Sequence, residues 1–106
     1  MIVVTSETIA NKKIIKTLGL VRGNSVRARH IGKDILAGLR NVVGGEIHEF
    51  AKLIAESREQ ALDRMTAEAS ALGANGVVAI RFTTSMIMAG AAEILAVGTA
   101  VVIEDD

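Results

Sequence analysis

Apolar residues recur at helical spacing between residues 46 and 72. Glu46 and Glu49 begin this segment, where carboxylates complement the helix dipole, and Gly73 follows it, where a left-handed cap is expected. Apolar positions separated by three, four and seven residues share one face of an α-helix. The pattern therefore predicts one long helix over residues 46–72. Its buried stripe is expected to comprise Ile47, Phe50, Ala51, Ile54, Ala61, Leu62, Met65, Ala69 and Leu72.

Four segments have the alternation or the β-branched composition of strands. They are residues 1–5, 14–21, 77–84 and 93–103. We expect the second strand to continue towards residues 25–29, with a bend or bulge at Gly23 and Asn24. Alternation in the third strand predicts two faces, Val78, Ile80 and Phe82 on one and Ala79, Arg81 and Thr83 on the other.

The remaining segments are expected to connect these elements. Residues 6–13 are polar and predict a turn, and residues 86–92 predict a glycine-containing connection. Residues 34–43 place apolar side chains at helical spacing and predict a short helix or helical turn, which Gly44 and Gly45 interrupt.

The last predicted strand is apolar on both faces. One face carries Ile94, Ala96, Gly98, Ala100 and Val102, and the other carries Leu95, Val97, Thr99, Val101 and Ile103. Both faces therefore need cover, yet the chain offers one substantial helix. The second cover is most simply a neighbouring subunit. The sequence predicts one α+β domain over residues 1–106 that assembles as a homo-oligomer.

Composition supports the same picture. Half of the 106 residues are apolar and the mean hydropathy is +0.40, which is high for a domain with so much surface. Twelve basic and twelve acidic residues balance, whereas nucleic-acid and membrane-surface partners favour excess positive charge. No cysteine is present, which excludes disulfides and thiolate metal sites and fits the cytoplasm. No apolar run approaches the roughly 20 residues of a membrane span.

The candidate metal ligands are Glu46, His48 and Glu49 at the start of the long helix. One imidazole and two carboxylates suit a borderline divalent ion such as zinc. Only Glu46 and Glu49 share a helical face, since such pairs are three or four residues apart, so a complete site needs ligands from a second subunit. The simpler interpretation is that these are solvated residues favoured by the helix dipole.

The other candidate binding or catalytic sites have weaker support in the sequence. Met86 and Met88 offer thioethers that suit Cu(I), but methionines also fill hydrophobic contacts. Gly44 and Gly45 could expose backbone N–H groups to an anion, although no Walker pattern surrounds them. A basic segment could bind nucleic acid or a small anion, or could pair with carboxylates of the long helix: Arg22, Arg27, Arg29, His30, Lys33 and Arg40. The sequence contains no cysteine nucleophile, no G-x-S-x-G motif and no H-E-x-x-H motif, so no sequence motif indicates catalysis.

Three motifs resemble the YbjQ-like family. Residues 38–46, G-L-R-N-V-V-G-G-E, resemble its G-L-R-x-(I/V)-V-G-G-E signature, and residues 71–81, A-L-G-A-N-G-V-V-A-I-R, resemble its A-L-G-A-(N/D)-A-V-(V/I)-G segment. Residues 93–101, E-I-L-A-V-G-T-A-V, resemble its closing strand. The resemblance is collinear over nearly the whole chain. The chain differs at Gly76, where the family has alanine, and at Val97, where many relatives have an aromatic residue.

The resemblance implies a two-layer subunit in which an antiparallel sheet packs on one long helix. It further implies a ring-like homopentamer and a heavy-metal-binding role, which the lack of cysteine weakens. We therefore expect a non-enzymatic oligomeric binding or scaffold protein. The alternative hypotheses are a binder of nucleic acid or anionic ligands through residues 22–40, and an enzyme whose site is shared between subunits.

Overall fold

The computed structural model describes residues 1–26, 45–88 and 91–106. Within them, one helix packs on a four-stranded sheet, in the order β1 (Ile2–Val3), β2 (Lys12–Val26), α1 (Gly45–Ala71), β3 (Gly76–Met88) and β4 (Ala91–Asp105). The sheet order is β1-β3-β4-β2. The expected helix-on-sheet α+β class is confirmed.

The expectation of an antiparallel sheet is wrong for β1. Strands β2 and β3 both pair antiparallel with β4, but β1 pairs parallel with β3. A parallel pair needs a long crossover between its strands, and β2 and α1 supply it here. The sheet is therefore mixed.

The long helix begins and ends within one residue of its predicted bounds. Ala61, Met65 and Ala69 are fully buried, and Ile54 and Leu62 are half-buried beside them. Leu72 was wrongly assigned to the stripe, because it follows the last helical residue and is 49% exposed. Gly73 has the predicted left-handed conformation, with φ of +91°.

A polar contact fills the gap in the apolar stripe between residues 54 and 61. Ser57 is buried, and its Oγ donates a hydrogen bond to the carbonyl oxygen of Leu53 at 3.0 Å. One turn later, Gln60 Oε1 accepts a hydrogen bond from the buried Ser25 Oγ of β2 at 2.7 Å. Periodicity of apolar residues alone does not reveal such a contact, because both serines are polar.

Gly23 is where α1 lies closest to the sheet. A Cβ atom at this position would overlap the backbone nitrogen of Met65 and the carbonyl oxygen of Ala61. The cross-strand partner of Gly23 is Ala96, which is also fully buried. The predicted bulge at Gly23 is therefore wrong: β2 pairs regularly here, and its irregularities lie between Ile14 and Lys16 and between Thr17 and Gly19.

Strand β3 does not alternate as its sequence predicts. Ala79 has φ of +55°, and the pairing with β4 shifts between Val78 and Arg81. The irregularity places Val78 on one face of the sheet and Ile80 on the other, where a regular strand would put them together. Strand β3 also continues to Met88, so residues 86–88 belong to a strand and not to the expected connection.

The two faces predicted for β4 are confirmed. Ile94, Ala96 and Ala100 pack in the core beneath α1. On the opposite face, Val101 and Ile103 are buried with Val78 under Val4 and Ile9. The N-terminal segment thus covers one end of this face, where a neighbouring subunit had been expected.

The short helix expected at residues 34–43 lies outside the described residues. In the part of the chain that is described, no helix has the length and hydropathy to cross a membrane.

We expect Gly23→Ala to destabilise the fold much more than Gly76→Ala. A methyl group at Gly23 meets helix backbone, which can yield only if α1 moves, and such overpacking costs about 1–3 kcal/mol or more. A methyl group at Gly76 meets the side-chain ends of Val101 and Ile103 at 3.3 and 3.4 Å, which can shift. Urea denaturation of both variants measures the difference. Equal losses would mean that the helix does not rest on Gly23.

Candidate functional site

The sheet has an outer face, defined here as the face turned away from α1. At one end Val4 and Ile9 cover it. At the other end, here called the open end, no described segment lies over it. The outer-face residues of the open end alternate along their strands with residues that face α1. They are Leu20, Arg22, Asn24 and Val26 on β2, Arg81, Thr83 and Ser85 on β3, and Glu93, Leu95, Val97 and Thr99 on β4.

The open end exposes apolar side chains. Leu20 is 66% exposed and Val26 is 50% exposed, while Leu95 and Val97 between the edges are half-buried. On β2, Arg22 and Asn24 lie between Leu20 and Val26 on this face, so the surface is mixed apolar and polar. Exposed apolar side chains with polar neighbours are a common feature of interaction sites. This is the second face of β4 that the sequence predicted to need cover.

Two arginines lie in one row across this surface. Val97 pairs in register with Arg22 on one side and with Arg81 on the other. Arg81 Nη1 donates hydrogen bonds to the carbonyl oxygens of Thr5 at 2.8 Å and Ile80 at 2.7 Å, which are uncharged acceptors. Sequence reasoning placed Arg81 on a strand face but did not single it out. Its signal would have been an arginine among the apolar residues of a strand.

The ion pairs of the described residues lie elsewhere. Lys12 pairs with Asp105, and Lys13 Nζ lies 3.4 Å from Glu104 Oε1, all at the covered end. The hydrogen bond and charge of Lys12 hold the pKa of the Asp105 carboxyl below its ordinary value. Among the described side chains, Arg22 forms no ion pair with a carboxylate of the long helix.

A polar cavity of about 470 Å³ opens beside Arg22. Its lining includes Asn24, Glu68, Glu93 and Leu95. Asn24 Nδ2 donates a hydrogen bond to Glu93 Oε2 at 3.1 Å. The cavity therefore extends from the outer face to Glu68 of α1, and its lining carries charges of both signs.

A second cavity, of about 570 Å³, lies at the covered end near Asn75 and Lys12. The Asn75 side chain makes two hydrogen bonds to the backbone of Ile103, donating from Nδ2 at 2.8 Å and accepting at Oδ1 at 2.7 Å. These bonds extend the pairing of β3 with β4 to the residue before Gly76, where β3 begins. Asn75 therefore has a structural role, which its place in the A-L-G-A-N-G motif did not reveal.

The three candidate metal ligands lie in the first turn of α1, which begins at Gly45. At about 100° per residue, Glu46 and Glu49 are about 60° apart around the axis, while His48 is about 160° from Glu46. Their side chains lie outside the described part of the structure. Among the described residues, no group of three histidine, cysteine or carboxylate side chains could hold a metal ion.

Several other candidates fall outside the described residues. Of the basic segment, Arg22 alone is described, and Arg27, Arg29, His30, Lys33 and Arg40 are not. Gly44 is also outside, and Gly45 is the first residue of α1. The nucleic-acid or anion hypothesis for residues 22–40 therefore stays a prediction.

Comparison with known proteins identifies relatives over the full length. A family model described as "Putative heavy-metal-binding", YbjQ, matches residues 1–104. A UPF0145 protein of Methanosarcina acetivorans is 58% identical over 101 residues, which are 95% of each chain. Another, from Dehalococcoides mccartyi, is 55% identical over 98% of this chain and 100% of that protein.

A solved structure agrees on the fold. The crystal structure of a protein of unknown function from Pediococcus pentosaceus, of the DUF74 family, matches with a TM-score of 0.67 over 98% of each chain. At 14% identity this likeness concerns the fold alone. The family model and the relatives together show that the chain belongs to the YbjQ family of UPF0145 proteins, as its three sequence motifs predicted.

Proposed function

We propose that this protein functions in the cytoplasm as a homo-oligomeric binding or scaffold protein whose subunits cover one another's open ends. The observation that carries the proposal is the uneven cover of the outer face. One end lies under Val4 and Ile9, while the other leaves Leu20 and Val26 largely exposed. A ring is the form we favour, with five subunits as the family resemblance suggests.

Energetics support a self-association site here. Full burial of a valine or leucine side chain contributes about 1.5–3 kcal/mol, so four such side chains could contribute several kcal/mol to an interface. Each of Leu20, Val26, Leu95 and Val97 still has surface to bury. Arg22 and Arg81 flank Val97 and would give the contact its specificity through charge.

Substitutions at two adjacent residues of β4 should distinguish a defect in folding from a defect in assembly. We expect Ala96→Lys to block folding, because its side chain would enter the core beneath α1 near Gly23. We expect Val97→Lys to fold and to dissociate, because an interface would bury a third cation between Arg22 and Arg81. Circular dichroism reports folding, and light scattering after size exclusion reports mass.

Val97→Asp is the matched control. Its carboxylate would lie between the two arginines, so its effect on assembly should be milder than that of Val97→Lys. A wild-type protein that elutes as a monomer would refute the proposal. Full assembly of Val97→Lys would mean that the open end is not an interface.

Metal binding is the second candidate function, and the family description motivates it. The three candidate ligands do not share one face of the helix. Positions 46 and 48 lie about 160° apart around the helix axis, and the chain has no cysteine. We therefore propose metal binding only as a site shared between subunits, in which His48 would supply an imidazole and Glu46 and Glu49 carboxylates.

Such a site should require both His48 and assembly. We expect Zn²⁺ titration calorimetry of the oligomer to show binding that His48→Ala abolishes and that a dissociated variant lacks. Chelator should reverse the binding, and protonation of the imidazole at low pH should weaken it. No heat from the wild type, or equal binding by His48→Ala, would remove the site.

A further inference from the structure

We propose that Asn75 and Gly76 form a latent deamidation site that the fold holds inactive, so that deamidation permanently marks molecules in which the start of β3 has opened. Asparagine followed by glycine occurs at this one place in the sequence. Glycine has no side chain, so its backbone nitrogen is the least hindered neighbour that an asparagine can have. The inference concerns the covered end of the sheet and does not depend on assembly.

The reaction consumes water and releases ammonia. The backbone nitrogen of Gly76 attacks Cγ of Asn75, and the new C–N bond closes a succinimide ring. The side-chain amide leaves as ammonia, taking up the proton that the Gly76 nitrogen loses. Water then opens the ring at one of its carbonyl carbons. The products are aspartate, in which the main chain is unchanged, and isoaspartate, in which the main chain runs through the former side chain.

The side chain of Asn75 is held away from this attack. Its Nδ2 donates a hydrogen bond to the carbonyl oxygen of Ile103 at 2.8 Å, and its Oδ1 accepts one from the backbone N–H of Ile103 at 2.7 Å. Both partners belong to the neighbouring strand β4. Before Cγ can meet the nitrogen of Gly76, the side chain must turn towards its own strand, and both hydrogen bonds must break.

The backbone of Asn75 is held as well. Its N–H donates a hydrogen bond to the carbonyl oxygen of Val101 at 3.1 Å, and its carbonyl oxygen accepts one from the N–H of Ile2 at 3.2 Å. Ring closure requires rotation about the bond between Cα and the carbonyl carbon of Asn75, which would break the bond to Ile2. Gly76 is buried, in register with Ile2 on one side and Val101 on the other.

The protection comes from this geometry and not from the exclusion of water. Asn75 is exposed, and it lines the cavity of about 570 Å³ at the covered end together with Lys12 and Ser70. Water can therefore reach the site in the folded protein. Opening of the pairs around Asn75 limits the reaction, so the rate of deamidation reports how often this end of the sheet opens.

Either product would oppose closure of the opened end. Aspartate keeps an acceptor for the N–H of Ile103, but it places a carboxylate oxygen opposite the Ile103 carbonyl oxygen, where Nδ2 now donates. Isoaspartate adds an atom to the main chain before Gly76 and converts the carbonyl that accepts from Ile2 into a free carboxylate. Strand β3 could then no longer keep its present register with both β1 and β4. An opening event is thereby recorded as a permanent defect.

Peptide mapping follows the reaction at this residue alone. Trypsin cleaves after lysine and arginine and yields a peptide of residues 65–81, whose one side-chain amide is Asn75. Mass reports conversion of the amide to an acid, and separate elution identifies isoaspartate. A second peptide, of residues 23–27, contains Asn24 followed by Ser25 and is the internal control. The protein would be incubated in mildly alkaline buffer, both folded and in guanidinium chloride.

We expect Asn75 to react faster than Asn24 in denaturant, because glycine hinders the attack less than serine does. In the folded protein Asn75 should react at least about tenfold more slowly than in denaturant, since only opened molecules react. Equal rates at Asn75 in both conditions would show that the fold does not protect the site. A denatured chain in which Asn75 reacts no faster than Asn24 would refute its special reactivity.

Two variants distinguish the chemistry from the opening. Gly76→Ala hinders the attacking nitrogen, and its methyl group is close only to side-chain ends, so we expect slower reaction in denaturant and a retained fold. Ile103→Ala keeps the backbone partners of Asn75 but removes a buried side chain beside Gly76. It should therefore speed the reaction in the folded protein and leave the rate in denaturant unchanged.

Circular dichroism verifies that each variant folds, and Ile103→Val provides the same comparison with a smaller loss if Ile103→Ala does not fold. A folded variant at Ile103 that has a lower urea midpoint but the wild-type rate would contradict control by opening at this end.

The deamidated protein tests the permanent defect. Ion exchange separates it from unmodified protein because each reaction adds one negative charge, and peptide mapping identifies the fraction richest in isoaspartate. We expect the urea midpoint of that fraction to be lowest, with the variant Asn75→Asp between it and the wild type. An isoaspartate-rich fraction with the wild-type midpoint would overturn the claim that deamidation marks the molecule permanently.

Discussion

The close contact of α1 with β2 at Gly23 sets the layout of the subunit. The helix backbone at Ala61 and Met65 occupies the space that any side chain at residue 23 would need. Small residues on both layers, among them Ala61 and Ala96, permit this approach. Because the helix is held against β2, at one edge of the sheet, it covers β3 only in part: Val77 and Ile80 are buried beneath it, but Phe82 is left exposed.

The exposed surfaces of the subunit follow from that offset. On the helix side, Phe82 is exposed beside a groove that it lines together with Ala55 and Leu62 of α1. On the outer face, the irregularity at Ala79 turns Val78 towards Val101 and Ile103, and the N-terminal segment covers this cluster. The segment pairs with β3 only up to Ile80, so both the cover and the edge pairing stop at the same place. Among the described residues, the exposed face and the strand edges without a partner therefore lie at one end of the sheet, which is the arrangement that the proposed self-association needs.

The sequence predicted the helix, the two faces of β4 and the family, because each depends on a regular period or a contiguous motif. It did not predict the irregularity in β3, because a left-handed conformation at Ala79 does not alter the alternation of residue types in the sequence. The role of Gly23 was also missed: a glycine in a strand suggests a bulge or a close contact, and only the position of the helix distinguishes them. Parallel pairing of β1 could not be inferred because Ile2 and Val3 carry too little pattern. For the metal candidates, spacing predicted that Glu46 and Glu49 share a helical face and that His48 does not, and metal binding stays a prediction.

Hydrogen exchange on the wild-type protein tests most directly whether another copy covers the open end. The backbone amides of residues 20–26 and 81–85 would be followed by mass spectrometry at concentrations above and below dissociation. If a neighbouring subunit covers the open end, these amides exchange slowly in the assembled protein and become fast on dilution, while core amides near Ala96 stay protected at both concentrations. Fast exchange at both edges in a protein whose mass is that of an oligomer would contradict the account.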